Sequence, residues 1–91
     1  MGTFHQNRGE LHGITVIVDT TGPEIFVGRC NDEDDRGIFL FEADVHLDGE
    51  GGRSKEEYVR RVSQLGFWKK HDHLMIPREK IVSVRKLSEV G

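Results

Sequence analysis

The sequence predicts a mainly β fold: five short strands closed into a small barrel, with one α-helix inserted between strands three and four. Three observations lead there. Runs with a period of two, rich in Val, Ile and Phe, recur between turns that carry Gly, Pro and Asp. One segment, 55–65, changes to a helical period. Val, Ile, Leu and Phe supply 26 of the 91 residues, enough for one small core and too many for a disordered acidic tail. Five short strands that close on themselves remove their own edges, which is the reason to expect a barrel.

Residues 1–12 have no periodicity and are expected to form a flexible arm before a single domain over 13–88. In the first strand Ile14, Val16 and Val18 alternate with Thr15, Ile17 and Asp19. Residues 20–24, Thr-Thr-Gly-Pro-Glu, punctuate a turn, and residues 25–30 follow as a second strand in an antiparallel hairpin. Gly28 inside that strand marks a bulge or bend. Residues 31–37 read as a polar, acidic loop. The third strand, 38–47, is apolar on both faces at first and then alternates. Glu42, Asp44 and His46 are expected on a wet face there.

Gly49, Gly51 and Gly52 make a flexible break before the helix. Ser54 is its N-cap and Glu57, three residues on, completes a capping box. Tyr58, Val59, Val62 and Leu65 form one apolar stripe, and Gly66 suits the C-terminal end. Glu56 with Arg60 and Glu57 with Arg61 are spaced for i,i+4 pairing. Phe67 and Trp68 are expected to pack beneath the helix. Residues 74–76 read as a short fourth strand, 77–80 as one tight turn and 81–87 as the closing strand.

The net charge of −3 hides a split. Residues 1–52 carry 3 basic and 11 acidic residues, or −8, and residues 53–86 carry 10 and 4, or +6. Three outcomes fit: neutralisation within the fold, complementary faces of a head-to-tail oligomer, or a basic nucleic-acid face. The lone Cys30 forms no internal disulfide and suits a reducing compartment. No apolar run is long enough to span a membrane, so a soluble, cytoplasmic protein without membrane partners is expected.

Two stretches resemble the Sm-like proteins and, more broadly, the SH3-like small barrels. In the first, Val16 and Val18 lead to Gly22, Gly28 and Asp34, then to the apolar run 38–41 and Glu42. In the second, residues 76–84, Ile-Pro-Arg-Glu-Lys-Ile-Val-Ser-Val, are similar to the family's strand, tight turn and Ile-Val-Ser-Ile-like closure. The Asn that organises the family's RNA base pocket is replaced by Gly37 and Ile38, and its Arg-Gly pair by Pro77 and Arg78. The resemblance implies a five-stranded Sm-like or SH3-like barrel, assembly into rings, and RNA as a possible ligand.

Chemistry-bearing patterns are sparse. His71, Asp72 and His73 offer metal-ligand atoms, but no partner set completes a site. Residues 32–35, Asp-Glu-Asp-Asp, lack the alternating spacing of a calcium loop. The glycines at 49–52 lack the Lys-Ser/Thr of a phosphate-binding loop. Cys30 has only Arg29 as a basic neighbour. No catalytic, cofactor or metal residue is therefore assigned. Phe67, Trp68, Lys69 and Lys70 pair aromatic rings with cations, as base stacking with phosphate contact requires. With Arg78 they are the expected nucleic-acid or partner contacts. The expected function is a non-enzymatic, self-associating binding or assembly module, with an Sm-like RNA-binding regulator as the alternative.

Overall fold

The computed structural model describes residues 11–90. Most of the expected N-terminal arm, residues 1–10, lies outside the described residues. Its last two positions are ordered onto the fold: Leu11 packs on the core, and His12 Nδ1 hydrogen-bonds the Asn31 carbonyl.

Five strands and one helix follow in the order β1 (Thr15–Thr20), β2 (Glu24–Asp34), β3 (Gly37–Leu47), α1 (Lys55–Leu65), β4 (His71–Pro77) and β5 (Ile81–Lys86). All ladders are antiparallel and the sheet order is β4-β3-β2-β1-β5. The sheet is open, which corrects the expected closed barrel. β4 pairs only with the first half of β3, and β5 only with β1. The reason lies in the turn between them. Arg78 N–H donates to the Arg36 carbonyl at 2.9 Å, and Thr21 N–H donates to the Lys80 carbonyl at 2.9 Å. The turn is thereby committed to the β2–β3 and β1–β2 connections and not to a β4–β5 ladder.

Two strands begin or end away from the expected positions. β2 runs on to Asp34 because its acidic end ladders onto Ile38 and Phe39. The chain then reverses in a tight turn in which Asp34 accepts from the Arg36 N–H at 2.8 Å and from its guanidinium at 2.9 Å. β4 starts at His71, since His71 and His73 pair with Ala43 and Phe41. The bend in the sheet sits where the β2–β3 register shifts at Gly28. A Cβ there would lie 2.8 Å from the Ala43 Cβ, so only glycine fits. The opposing bulge residue, Glu42, has φ 51°, and its carboxylate is held by Arg29 at 3.1 Å.

Both faces of β1 and β2 are buried. On one face Val16, Val18, Cys30, Ile38, Leu40, Ala43 and Ile76 form a core, and Ile81 and Val84 pack against it from β5, so that all five strands contribute. On the other, Ile17, Ile25 and Val27 are covered by Tyr58, Val59 and Val62 of α1. The capping box at Ser54 and Glu57 is formed in both directions. Glu56 reaches Arg85 of β5 at 3.1 Å in place of Arg60. Lys55 fixes the start of the helix to the β1–β2 turn. Its Nζ donates to Asp19 Oδ1 at 2.7 Å, to the Thr20 carbonyl at 3.0 Å and to the Gly22 carbonyl at 2.7 Å. The apolar stripe is thus buried at three of its four positions, and Leu65 is exposed.

That division sets the first prediction. Val62→Asp places an unpaired carboxylate between α1 and the sheet and lowers unfolding free energy by about 3 kcal/mol. Leu65→Asp, on the exposed end of the same stripe, changes it by less than about 0.5 kcal/mol. Denaturant melts of both variants check the pair; equal losses would contradict this packing.

Candidate functional site: a groove beside the helix

A groove of about 640 Å³ lies between the second half of β3, the turn at 50–53, the C-terminal half of α1 and residues 66–70. Its inner wall is polar and buried. β3 alternation puts Asp44 and His46 on the face that α1 covers, so two of the three residues expected on a wet face are 4% and 5% exposed, while Glu42 stays partly exposed. Covering by the helix is the cause. Tyr58 Oη donates to Asp44 Oδ2 at 2.7 Å. The His46 ring stacks on Tyr58 at 4.5 Å between centroids, with the planes 5° apart. His46 Nε2 donates to the Arg53 carbonyl at 3.0 Å, which places a proton on Nε2. Asp44 Oδ1 has no hydrogen-bond partner and faces Lys70 Nζ at 3.4 Å. Burial first, then the hydrogen bond to Asp44, pushes the Tyr58 phenol far above its ordinary range.

The rim carries Arg53, Arg61 and Lys70 together with Leu65, Phe67 and Trp68. Of the contacts expected from sequence, the groove gathers Phe67, Trp68 and Lys70. Phe67 packs against the α1 core, whereas Trp68 is 79% exposed and does not pack beneath the helix. The chain leaves α1 at Gly66, φ 83°, and that turn carries Trp68 past the helix end. Lys69 is not part of the lining and lies 4.0 Å from Glu42. Arg78 is elsewhere and serves structure: its guanidinium donates to Glu33 Oε2 at 3.1 Å and to the Asp34 carbonyl at 2.8 Å.

The other patterns resolve into structure. His71, Asp72 and His73 are strand residues, and the His73 ring meets Phe41 edge-on at 5.0 Å. Among the described residues no group of three or more His, Cys, Asp or Glu could hold a metal ion. In the acidic turn Glu33 is paired with Arg78 and Asp34 with Arg36, whose hydrogen bonds hold the Asp34 carboxyl below its usual range. The glycine break is an ordered 3-10 turn in which Gly49 N–H donates to the Arg53 carbonyl at 2.7 Å. Cys30 is buried, and burial with the nearby Glu33 and Asp32 charges raises its thiol to about 11, which favours the protonated form at neutral pH. Asp44, His46, Tyr58, Arg53 and Arg61 are site residues that sequence reasoning did not select. The alternation of residues 43–47 placed Asp44 and His46 on one row, but nothing local showed that a helix would cover it.

No family model and no curated protein matches the chain. Among solved structures, the chain is similar to one in the "Crystal structure of the NatC complex bound to CoA". The identity is 18% and the TM-score 0.58, over 86% of this chain and 80% of that one. At that identity the likeness concerns the fold. No helix among the described residues is long and apolar enough to cross a membrane.

The buried phenol gives a pH prediction. Its folded pKa is raised, so its stabilising contribution is complete below the unfolded phenol value, about 10, and is lost as pH rises above it. Thermal melts between pH 8 and 11 should therefore fall steeply from about pH 10 upward. Tyr58→Phe should remove that dependence. It should also cost about 1–3 kcal/mol at neutral pH, because Asp44 loses its buried donor. An alkaline slope unchanged in the variant would assign it to other groups.

Proposed function

We propose that this chain is a non-enzymatic assembly module of Sm-like type that associates with copies of itself through its two free strand edges. The observation that carries the reading is the open sheet, which leaves β4 and β5 as outer strands. A free edge in a native protein is blocked, charged or paired with a partner. Here each edge strand displays an apolar side chain, Met75 on β4 at 48% exposure and Val82 on β5 at 59%. The 3-10 turn Arg78–Lys80 joins the two strands directly, in line with the strand, tight turn and closing strand of the resembled family. β4 of one copy against β5 of the next is a head-to-tail contact, and such a contact closes into a ring when its rotation permits.

The charge split has a smaller part in this than the sequence suggests. Lys55 with Asp19, Lys69 with Glu42, Lys70 with Asp44 and Arg78 with Glu33 each join a base of the C-terminal half to an acid of the N-terminal half. The halves thus neutralise each other in part within one fold. The direction of assembly then rests on the edges themselves, where β4 carries Asp72 and β5 carries Lys86.

Light scattering at tens of micromolar, in low and high salt, tests the reading. A multimer is expected at low salt, and Val82→Lys should yield a monomer whose melting changes by less than about 0.5 kcal/mol. A strict monomer of the unaltered chain under both conditions would overturn it.

A further inference from the structure

Assembly through the strand edges leaves the groove beside α1 without a role. Its rim combines two exposed apolar side chains, Leu65 at 70% and Trp68 at 79%, with the guanidinium-bearing Arg53 and Arg61. Neither arginine forms an ion pair among the described residues, whereas Lys70 is drawn onto Asp44. A Trp and an Arg held beside a groove are the residue types that carry most of the binding energy in protein interfaces. A groove of about 640 Å³ holds a few side chains rather than a domain face.

We propose that this groove docks a short peptide segment of a partner protein, in which one apolar side chain is flanked by carboxylates. The apolar anchor lies against Trp68 and Leu65, with the half-buried Phe67 behind them. The flanking carboxylates meet Arg53 and Arg61, whose planar donors suit bidentate carboxylate pairing. Charge decides against nucleic acid as the occupant. Asp44 and Glu50 also line the groove and Lys70 is drawn onto Asp44, so its free positive charge is confined to the two arginines, enough for a few carboxylates and not for a phosphate chain. The whole chain carries −3, with a pI near 5.9, where a nucleic-acid surface calls for a basic stripe. An acidic peptide places its few carboxylates at the arginines only, and its anchor covers apolar surface that a phosphate chain would leave wet.

Trp68 is the only tryptophan, so its emission reports on the groove directly. The full chain is titrated with blocked pentapeptides that set one Leu, Ile or Phe between Asp and Glu residues. The same peptides with Asn and Gln for the acids, and a U-rich RNA octamer, are run alongside. The expected result is a saturable blue shift with the acidic peptides, at least tenfold weaker with the neutral ones and with Arg61→Gln. Val82→Lys should bind the acidic peptides as the unaltered chain does, which separates this site from edge assembly. A shift produced by the RNA and not by the peptides would overturn the proposal. So would no shift with any acidic peptide, or unchanged peptide affinity in Arg61→Gln.

Discussion

Everything in this fold depends on β1 and β2 being buried on both faces. Val16 and Val18 point into the core gathered by all five strands, while Ile17, Ile25 and Val27 point the other way. Fully burying each of those outer side chains is worth about 2 kcal/mol, so the second face cannot be left in water. The helix exists to cover it, and the dependence runs in both directions. An 11-residue helix is marginal in water by itself, and Tyr58, Val59 and Val62 gain their stability from the sheet beneath them. Lys55, with three oxygens of the β1–β2 turn around its ammonium, sets where the cover begins.

The groove is a by-product of that cover. Once α1 lies on the second face, the polar row of β3 has to be satisfied under it. Asp44 finds the Tyr58 hydroxyl, and His46 finds the Tyr58 ring and the Arg53 carbonyl. The helix ends at Leu65, and Gly66 turns the chain away from it. Leu65, Phe67 and Trp68 therefore leave it in succession, and only Phe67 finds the core. Packing thus makes an apolar and cationic rim around a buried carboxylate, with no dedicated motif in the chain. The strand edges arise separately, from a turn whose backbone bonds tie it to the other two turns instead of joining β4 to β5.

What could be read from the sequence was what depends on near neighbours. The capping box at Ser54, the stripe from Tyr58 to Val62 and the kink at Gly28 are all set by spacing or by the lack of a side chain, and each is present. Long-range geometry was hidden. The closure of the barrel turned on which carbonyls the Arg78–Lys80 turn would meet, and no local pattern encodes that. The start of β4 at His71 was masked because His-Asp-His has no strand character until Phe41 and Ala43 pair with it. For the site, aromatic residues beside lysines drew attention to Phe67, Trp68 and Lys70. Asp44, His46 and Arg61 come together only when the helix is in place.

Native-state hydrogen exchange tests the mutual dependence of helix and sheet most directly. If α1 is an integral cover, the amides of Val59 and Val62 open only when those of Ile17 and Val18 do. The opening free energies of the two elements then agree within about 1 kcal/mol. Helix amides that exchange as a frayed segment, while β1 keeps the protection of global unfolding, would contradict the account.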